Sequence, residues 1–144
     1  MKLISYHHNG QDGYGAVVGN RVVDLRAIFA DRAPDLKAFI AADLVSQAAA
    51  KVAAATATLS LADVRLLPVI PNPDKIFCIG LNYAEHIRET GKEVTEKPVI
   101  FLRVADSQLA HGEDIVRPRA SERLDYEGEI AIVIGKGGRH ISAA

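Results

Sequence analysis

The order of apolar and polar positions in the first part of the chain predicts short antiparallel strands. Residues 2–7 alternate weakly, and the apolar runs Tyr14–Val18 and Arg21–Leu25 are separated by Gly19-Asn20. A two-residue loop between strands needs positive φ angles, which glycine and asparagine adopt more readily than other residues. The pattern therefore predicts a β-hairpin between the two runs.

An alanine-rich region from Leu36 to about Thr58 predicts helices, because alanine has the highest intrinsic helix propensity. Its larger apolar residues recur at helical spacing in two stripes, Leu36, Phe39, Ile40 and Leu44, and then Val45, Ala49 and Val52. We expect these stripes to face the core of a small N-terminal domain.

A proline-rich segment follows the helices. Pro68, Pro71 and Pro73 fall within six residues, and proline cannot continue a helix. We therefore predict a domain boundary here, with one domain over residues 1–70 and a second over residues 71–144.

The second domain is predicted to be richer in strands. Lys75–Gly80 and Pro98–Arg103 are apolar runs of strand length. Between them, Asn82 is the predicted N-cap of a short helix, Tyr83–Thr90, which ends at Gly91.

The last predicted strand, Leu124–Ile134, follows a shorter extended piece at Asp114–Arg117 and carries Glu127 and Glu129. Because side chains alternate across a strand, both glutamates project to the same side, roughly 6.5–7 Å apart along the backbone. Two like charges repel unless a cation lies between them, and a hard divalent ion such as Mg²⁺ binds such ligands. Glutamate is also common at solvent-facing strand positions, so the pair by itself leaves a plain exposed strand as the alternative.

A second pair of polar residues lies on the predicted short helix. His86 and Glu89 are three positions apart and therefore share a face. A carboxylate beside an imidazole orients the ring and raises its basicity, as a general base requires. The alternative is a solvated helix with mixed charges, on which Glu85 and Glu89 form an ordinary pair four positions apart.

Composition narrows the classes of function. The 144-residue chain is 49% hydrophobic with a formal net charge of −1 and no basic cluster, which argues against nucleic-acid binding. No apolar run approaches the roughly 18–20 residues of a membrane span, and the first residues do not resemble a signal peptide. Cys78 is the single cysteine and lies in an apolar strand, so we expect a small buried residue and a reducing, cytoplasmic location.

Three motifs, taken in order, resemble the fumarylacetoacetate hydrolase family, in the branch of the acylpyruvases and the 2-hydroxyhepta-2,4-diene-1,7-dioate isomerases. They are KIFCIGLNYAEH over residues 75–86, PVIFLR over residues 98–103 and LDYEGEIAIVIGK over residues 124–136. The resemblance implies an α+β, β-rich chain. A small N-terminal αβ domain would precede the opening part of the family's mixed β-roll, which would be incomplete.

The resemblance also implies the roles of the two polar pairs. Glu127 and Glu129 would be two of the family's three carboxylate ligands for Mg²⁺, a site that Mn²⁺ or Ca²⁺ can also occupy. His86 and Glu89 would form the catalytic dyad, on a short helix that orders over the bound substrate.

The implied substrate is a β-diketo or 2-keto acid, which Arg103 and Tyr83 would help to bind. Arg103 stands where the family more often has lysine, so a planar fork replaces a point charge. His86 would deprotonate a water that attacks the distal carbonyl, and carbon–carbon cleavage would leave a pyruvate-type enolate. Family members also isomerise dienes or decarboxylate oxaloacetate, and these residues do not distinguish the reactions. A homodimer active in aromatic-compound or keto-acid metabolism is the expected context.

The family's third carboxylate, an aspartate beyond the Glu-x-Glu strand, has no match before Ala144. The resemblance therefore covers only the opening part of the catalytic domain. We expect residues 1–144 alone to bind Mg²⁺ poorly and to turn over no acylpyruvate. The alternative from another class is a non-catalytic interaction module built from the leading part of an enzyme.

Overall fold

The computed structural model describes residues 1–57, 59–91, 93 and 96–143. Within these residues the strands are β1 (Lys2–His8), β2 (Gln11–Val18), β3 (Arg21–Asp24), β4 (Leu59–Ser60), β5 (Arg65–Leu66), β6 (Ile76–Gly80) and β7 (Val99–Arg103). The α-helices are α1 (Leu25–Phe29), α2 (Leu36–Ala41), α3 (Val45–Ala54) and α4 (Ala84–Glu89). The predicted α+β, β-rich class is confirmed.

Strands β1–β5 form one antiparallel sheet in the order β4-β3-β2-β1-β5. The predicted hairpin is present, since Val18 pairs with Arg21 and Gly19 has a φ of +62°. Of the two turn residues only Gly19 has a positive φ, and a two-residue loop with glycine in its first position joins antiparallel strands.

Helices α1–α3 belong to the same compact unit as this sheet, and the core of that unit is aromatic and aliphatic. The Tyr14 ring lies 5.4 Å from the Phe39 ring, and its hydroxyl donates to the Ala33 carbonyl at 2.9 Å. Asp24 and Asp35 cap α1 and α2 by accepting backbone N–H bonds from their first turns. The hydrogen bond to Ala33 satisfies the hydroxyl group of the buried Tyr14.

The second predicted apolar stripe is wrong at two of its three positions, since only Val52 packs against the core. Val45 and Ala49 are exposed, whereas Leu44 and Ala48 are fully buried and Val52 is half-buried. Asp43 interrupts the helical region with a φ of +52°, so α2 and α3 are separate helices. Helical spacing counted from α2 through this break therefore assigns the buried face of α3 to the wrong residues.

The segment Pro71–Gln108 forms a second compact unit, which contains β6, α4 and β7. Strands β6 and β7 pair antiparallel, with Ile76 opposite Arg103. Both strands predicted in this unit are confirmed, and each begins one residue later than expected. Cys78 on β6 is a free thiol and is half-buried rather than buried.

The strands predicted over Leu124–Ile134 and Asp114–Arg117 do not form among the described residues. Ile130 and Ile132 are 82% and 80% exposed. A strand exists only where its backbone N–H and C=O groups pair with a neighbouring strand. Neither segment pairs with any described strand, so alternation of apolar and polar residues is not enough to make either of them a strand.

The predicted domains, residues 1–70 and 71–144, stay a prediction. One compact unit consists of two chain segments. The first segment ends at Ile70, within the proline-rich segment, and the second begins at Leu109. Among the described residues, none of the helices has the length and apolar character needed to cross a membrane.

Candidate active site

The connection from β6 to α4 is set by an unusual backbone conformation at Leu81. Its φ is +54°, in the left-handed region that residues with a side chain rarely occupy. The helix then starts at Ala84 with Tyr83 as its N-cap, and no side chain caps it. The prediction of Asn82 as the cap is therefore wrong, because the left-handed turn delays the start of the helix by one residue.

Helix α4 is short and is held by one apolar side chain. Ile87 is only 4% exposed, and its backbone N–H donates to the Tyr83 carbonyl at 3.0 Å. At the other end, Thr90 Oγ1 donates to the Ile87 carbonyl at 3.0 Å, and Gly91 has a φ of +67°. Gly91 closes the helix as predicted, because glycine adopts this conformation without strain.

His86 and Glu89 meet on the exposed surface of α4. Nδ1 of His86 lies 3.9 Å from Oε2 of Glu89, with 49% and 78% of the two side chains exposed. This distance is longer than a hydrogen bond and within the range of an ion pair. The spacing of three residues therefore brings the predicted dyad together.

Arg103 and Tyr83 lie near the ends of two elements of the same unit. Arg103 is the last residue of β7, and its guanidinium donates to Ser107 in the following turn. Tyr83 precedes α4 by one residue and is 46% exposed. Both side chains are accessible to a ligand.

Glu127 and Glu129 lie in the exposed segment that forms no strand. Carboxylate oxygens are suitable donors for Mg²⁺, which commonly takes one or two carboxylates and completes its shell with water and substrate oxygens. Within the described part of the chain, no group of three or more histidine, cysteine, aspartate or glutamate side chains is placed to hold a metal ion. The carboxylate oxygens of the two glutamates are therefore of the donor type that suits the ion.

Sequence reasoning missed two residues that shape this region, Leu81 and Ser107. Nothing in the sequence marks a leucine for the left-handed region. Ser107 carries a weak signal, since a serine four residues after a strand-ending arginine is within reach of its guanidinium through a tight turn.

Residues 75–144 match the family model described as fumarylacetoacetate (FAA) hydrolase C-terminal. The human mitochondrial oxaloacetate tautomerase FAHD2A is 37% identical over 99 residues, which is 69% of this chain. The rat mitochondrial oxaloacetate tautomerase is 33% identical over 133 residues, or 91% of this chain. The chain belongs to the fumarylacetoacetate hydrolase family.

The family match covers both polar pairs and Arg103. A protein of Methanocaldococcus jannaschii is 48% identical over 69 residues, covering 48% of this chain and 29% of that protein. A crystal structure of a Mycobacterium smegmatis protein named HpcE has a TM-score of 0.44 and 27% identity, covering 72% of this chain and 36% of that one. This chain spans 32% of the human tautomerase and 42% of the rat one, so it corresponds to less than half of these relatives.

Proposed function

We propose that this chain carries the acid–base pair and two metal-binding carboxylates of a fumarylacetoacetate hydrolase-type enzyme that acts on a 2-keto acid. The observation that carries the proposal is the pairing of His86 with Glu89, at 3.9 Å on the exposed surface of α4, inside the part of the chain that matches the family. A solvated helix of mixed charge is the competing interpretation of the same two residues.

His86 acts as the general base in this proposal. Glu89 orients the imidazole, and the ring takes a proton from water or from the carbon beside a carbonyl. Tyr83 lines the same end of α4, and Arg103 pairs with a carboxylate of the substrate.

Glu127 and Glu129 would hold the divalent ion through their carboxylate oxygens, with Mg²⁺ first and Mn²⁺ or Ca²⁺ as substitutes. A bound ion of this kind supplies Lewis-acid stabilisation of negative charge on substrate oxygens. The two polar pairs lie in different compact units of the chain.

Two reactions use these residues in nearly the same way. Hydrolysis of an acylpyruvate needs His86 to activate water for attack on the distal carbonyl, followed by carbon–carbon cleavage. Enolisation of oxaloacetate needs His86 to remove a proton from carbon 3. The names of the human and rat relatives favour oxaloacetate as the second substrate to test. Diene isomerisation and oxaloacetate decarboxylation stay as further alternatives.

A homodimer, a reducing compartment and a place in keto-acid or aromatic-compound breakdown belong to the same proposal. The free thiol of Cys78 supports the reducing compartment. The competing proposal is a non-catalytic interaction module, which predicts no turnover of any keto acid.

The test assays the protein against acylpyruvates, oxaloacetate and hydroxymuconate-type dienes in the presence of Mg²⁺. We expect His86→Asn to lower kcat by roughly 10²–10⁴-fold, the usual contribution of a general base. Glu127→Gln should abolish the metal-dependent activity. Glu85→Gln is the matched control, because it removes one exposed carboxylate from α4 without touching the pair.

Full activity in His86→Asn would show that α4 is merely a solvated helix. Full activity in Glu127→Gln would show that the metal assignment is wrong. Absence of turnover by the unaltered protein with every substrate would favour the interaction module.

A further inference from the structure

The turn after β7 holds the guanidinium of Arg103 through a single serine. Nε of Arg103 donates to Ser107 Oγ at 3.1 Å, and Nη2 donates to the Ser107 carbonyl at 2.6 Å. The Ser107 hydroxyl in turn donates to the Val104 carbonyl at 2.7 Å. One half-buried serine therefore contacts two of the three guanidinium nitrogens and is itself tied to the backbone.

These contacts leave one edge of the guanidinium available. Among the described residues, Nη1 of Arg103 has no hydrogen-bond acceptor, and Nη2 has a second N–H beyond the one given to Ser107. Nη1 and Nη2 together form the fork that binds the two oxygens of a carboxylate through parallel hydrogen bonds. The side chain is exposed, so a ligand from solvent has access to this edge.

Holding an exposed arginine in place before the ligand arrives changes the affinity for that ligand. A free arginine loses rotamer entropy when it is ordered on binding, and this loss weakens the complex. Because Ser107 already orders Arg103, less of this cost falls on the binding step.

We propose that Ser107 is a positioning residue, which fixes Arg103 so that its Nη1–Nη2 edge binds a carboxylate of the substrate and selects for keto acids that carry one. This inference rests on the proposed function for the identity of the substrate. It adds a requirement that the polar pairs do not impose, since a dyad and a metal by themselves accept a keto compound whose remote end is neutral.

Arginine is required for this arrangement, and lysine cannot replace it. Nε and Nη2 reach the two oxygen atoms of Ser107 while Nη1 stays available, which needs three nitrogens at fixed positions. A lysine has one nitrogen and cannot contact both serine oxygens and both oxygens of a ligand carboxylate in the same plane.

The first experiment separates KM from kcat with Ser107→Ala. We expect KM for a carboxylate-bearing keto acid to rise roughly three- to tenfold, the usual net effect of losing one intramolecular hydrogen bond, with kcat within about twofold of the unaltered protein. Ser107→Thr keeps the hydroxyl and should restore KM. Ser46→Ala, an exposed serine on α3, is the matched control. Equal KM values for Ser107→Ala and Ser46→Ala would overturn the proposal.

The second experiment needs no turnover and uses malonate as the probe. In the NMR spectrum, the Nε–Hε signal of Arg103 should be protected from exchange with water, and malonate should shift it. Ser107→Ala should remove the protection and raise the malonate concentration needed for half of the shift by roughly three- to tenfold. Arg103→Lys should abolish specific malonate binding, while Arg119→Lys should leave it unchanged.

The two experiments distinguish failure of the Ser107 proposal from failure of the proposed enzyme activity. If no keto acid is turned over but malonate binding depends on Ser107, the proposed enzyme activity is wrong and the carboxylate-binding arginine stands. If turnover is present but Ser107→Ala leaves both KM and the Nε–Hε signal unchanged, the activity stands and the role of Ser107 is overturned.

Discussion

At the level of single residues, Leu81 holds the backbone conformation that turns the chain from β6 toward α4. A residue with a β-carbon in the left-handed region costs about 1–2 kcal/mol relative to its usual conformation. Such strain persists where the surrounding structure fixes it, and it is common next to functional groups. Here it lies three residues before the start of the helix that carries His86.

The conformation of Leu81 predicts that the smaller substitution, to valine, destabilises the protein more than the larger one, to glycine. Leu81→Gly removes the whole side chain but relieves the strain, whereas Leu81→Val keeps most of it and adds a β-branch that the left-handed region does not tolerate. We expect Leu81→Val to lower the free energy of unfolding by more than Leu81→Gly, by roughly 1 kcal/mol or more, in urea titrations. Leu102→Val, at an exposed position of β7, is the control and should change stability by less than about 0.5 kcal/mol.

If Leu81→Val proves as stable as Leu102→Val, the left-handed conformation does not limit the choice of residue at this position.

A second residue-level prediction concerns the buried tyrosine hydroxyls. Burial raises the pKa of Tyr14 to about 12, and the nearby charges of Asp24 and Asp35 act in the same direction. Burial and Asp24 likewise raise the pKa of Tyr6. An unfolded tyrosine releases its proton near pH 10, so above that pH the unfolded state binds fewer protons than the folded state. Stability is therefore fully present below pH 10 and falls as the pH rises toward 12.

The size of this loss can be measured with Tyr14→Phe. Tyr14 should account for about 2–3 kcal/mol of the stability lost between pH 10 and pH 12, since one pKa unit corresponds to about 1.4 kcal/mol. Tyr14→Phe should cost about 1 kcal/mol at neutral pH through the lost hydrogen bond to Ala33, and should flatten the alkaline slope. Denaturant titrations across this range check both effects, with Tyr83→Phe at an exposed position as the control. An unchanged slope in Tyr14→Phe would contradict the assignment.

At the level of elements, the rotational phase of α3 is decided by the break at Asp43 rather than by the composition of the helix. Ala48 is fully buried and Ala49 is exposed, although both belong to the same alanine-rich run. The burial of Ala48 leaves little space for a larger residue, since protein interiors are close-packed.

The orientation of α3 predicts that a leucine destabilises the protein at position 48 and has little effect on stability at position 49. Ala48→Leu should lower the free energy of unfolding by about 1–3 kcal/mol through overpacking. Ala49→Leu should change it by less than about 0.5 kcal/mol, because the added side chain points away from the core. The urea midpoints of the two variants give the comparison. The reverse order would support the stripe of Val45, Ala49 and Val52 expected from sequence.

At the level of the whole molecule, the two glutamates of Leu124–Ile134 are the metal donors that the family resemblance assigns. The described residues bring no third histidine, cysteine, aspartate or glutamate to them. Two monodentate carboxylates in an exposed segment compete poorly with the hydration shell of Mg²⁺, which gives up its waters reluctantly.

We therefore expect the isolated 144-residue chain to show no saturable heat of Mg²⁺ binding in calorimetry below about millimolar concentration, the range of weak carboxylate sites. Glu127→Gln should leave this result unchanged. Micromolar binding that Glu127→Gln abolishes would mean that the chain alone forms the metal site.

The features that depend on neighbouring residues could be predicted from the amino-acid sequence. These are the hairpin at Gly19-Asn20, the strands β6 and β7, the end of α4 at Gly91 and the closeness of His86 to Glu89. Turn chemistry, short apolar runs and helical spacing act over a few residues, so they can be inferred without knowing the rest of the fold.

The features that depend on distant partners or on a rare backbone conformation became known only from the three-dimensional structure. The segment Leu124–Ile134 alternates like a strand, yet it forms none in the described chain because no strand pairs with it. The left-handed Leu81, the phase of α3 and the contacts of Ser107 with Arg103 are fixed by packing and backbone geometry. These properties follow from energy balances over many contacts, which no local pattern encodes.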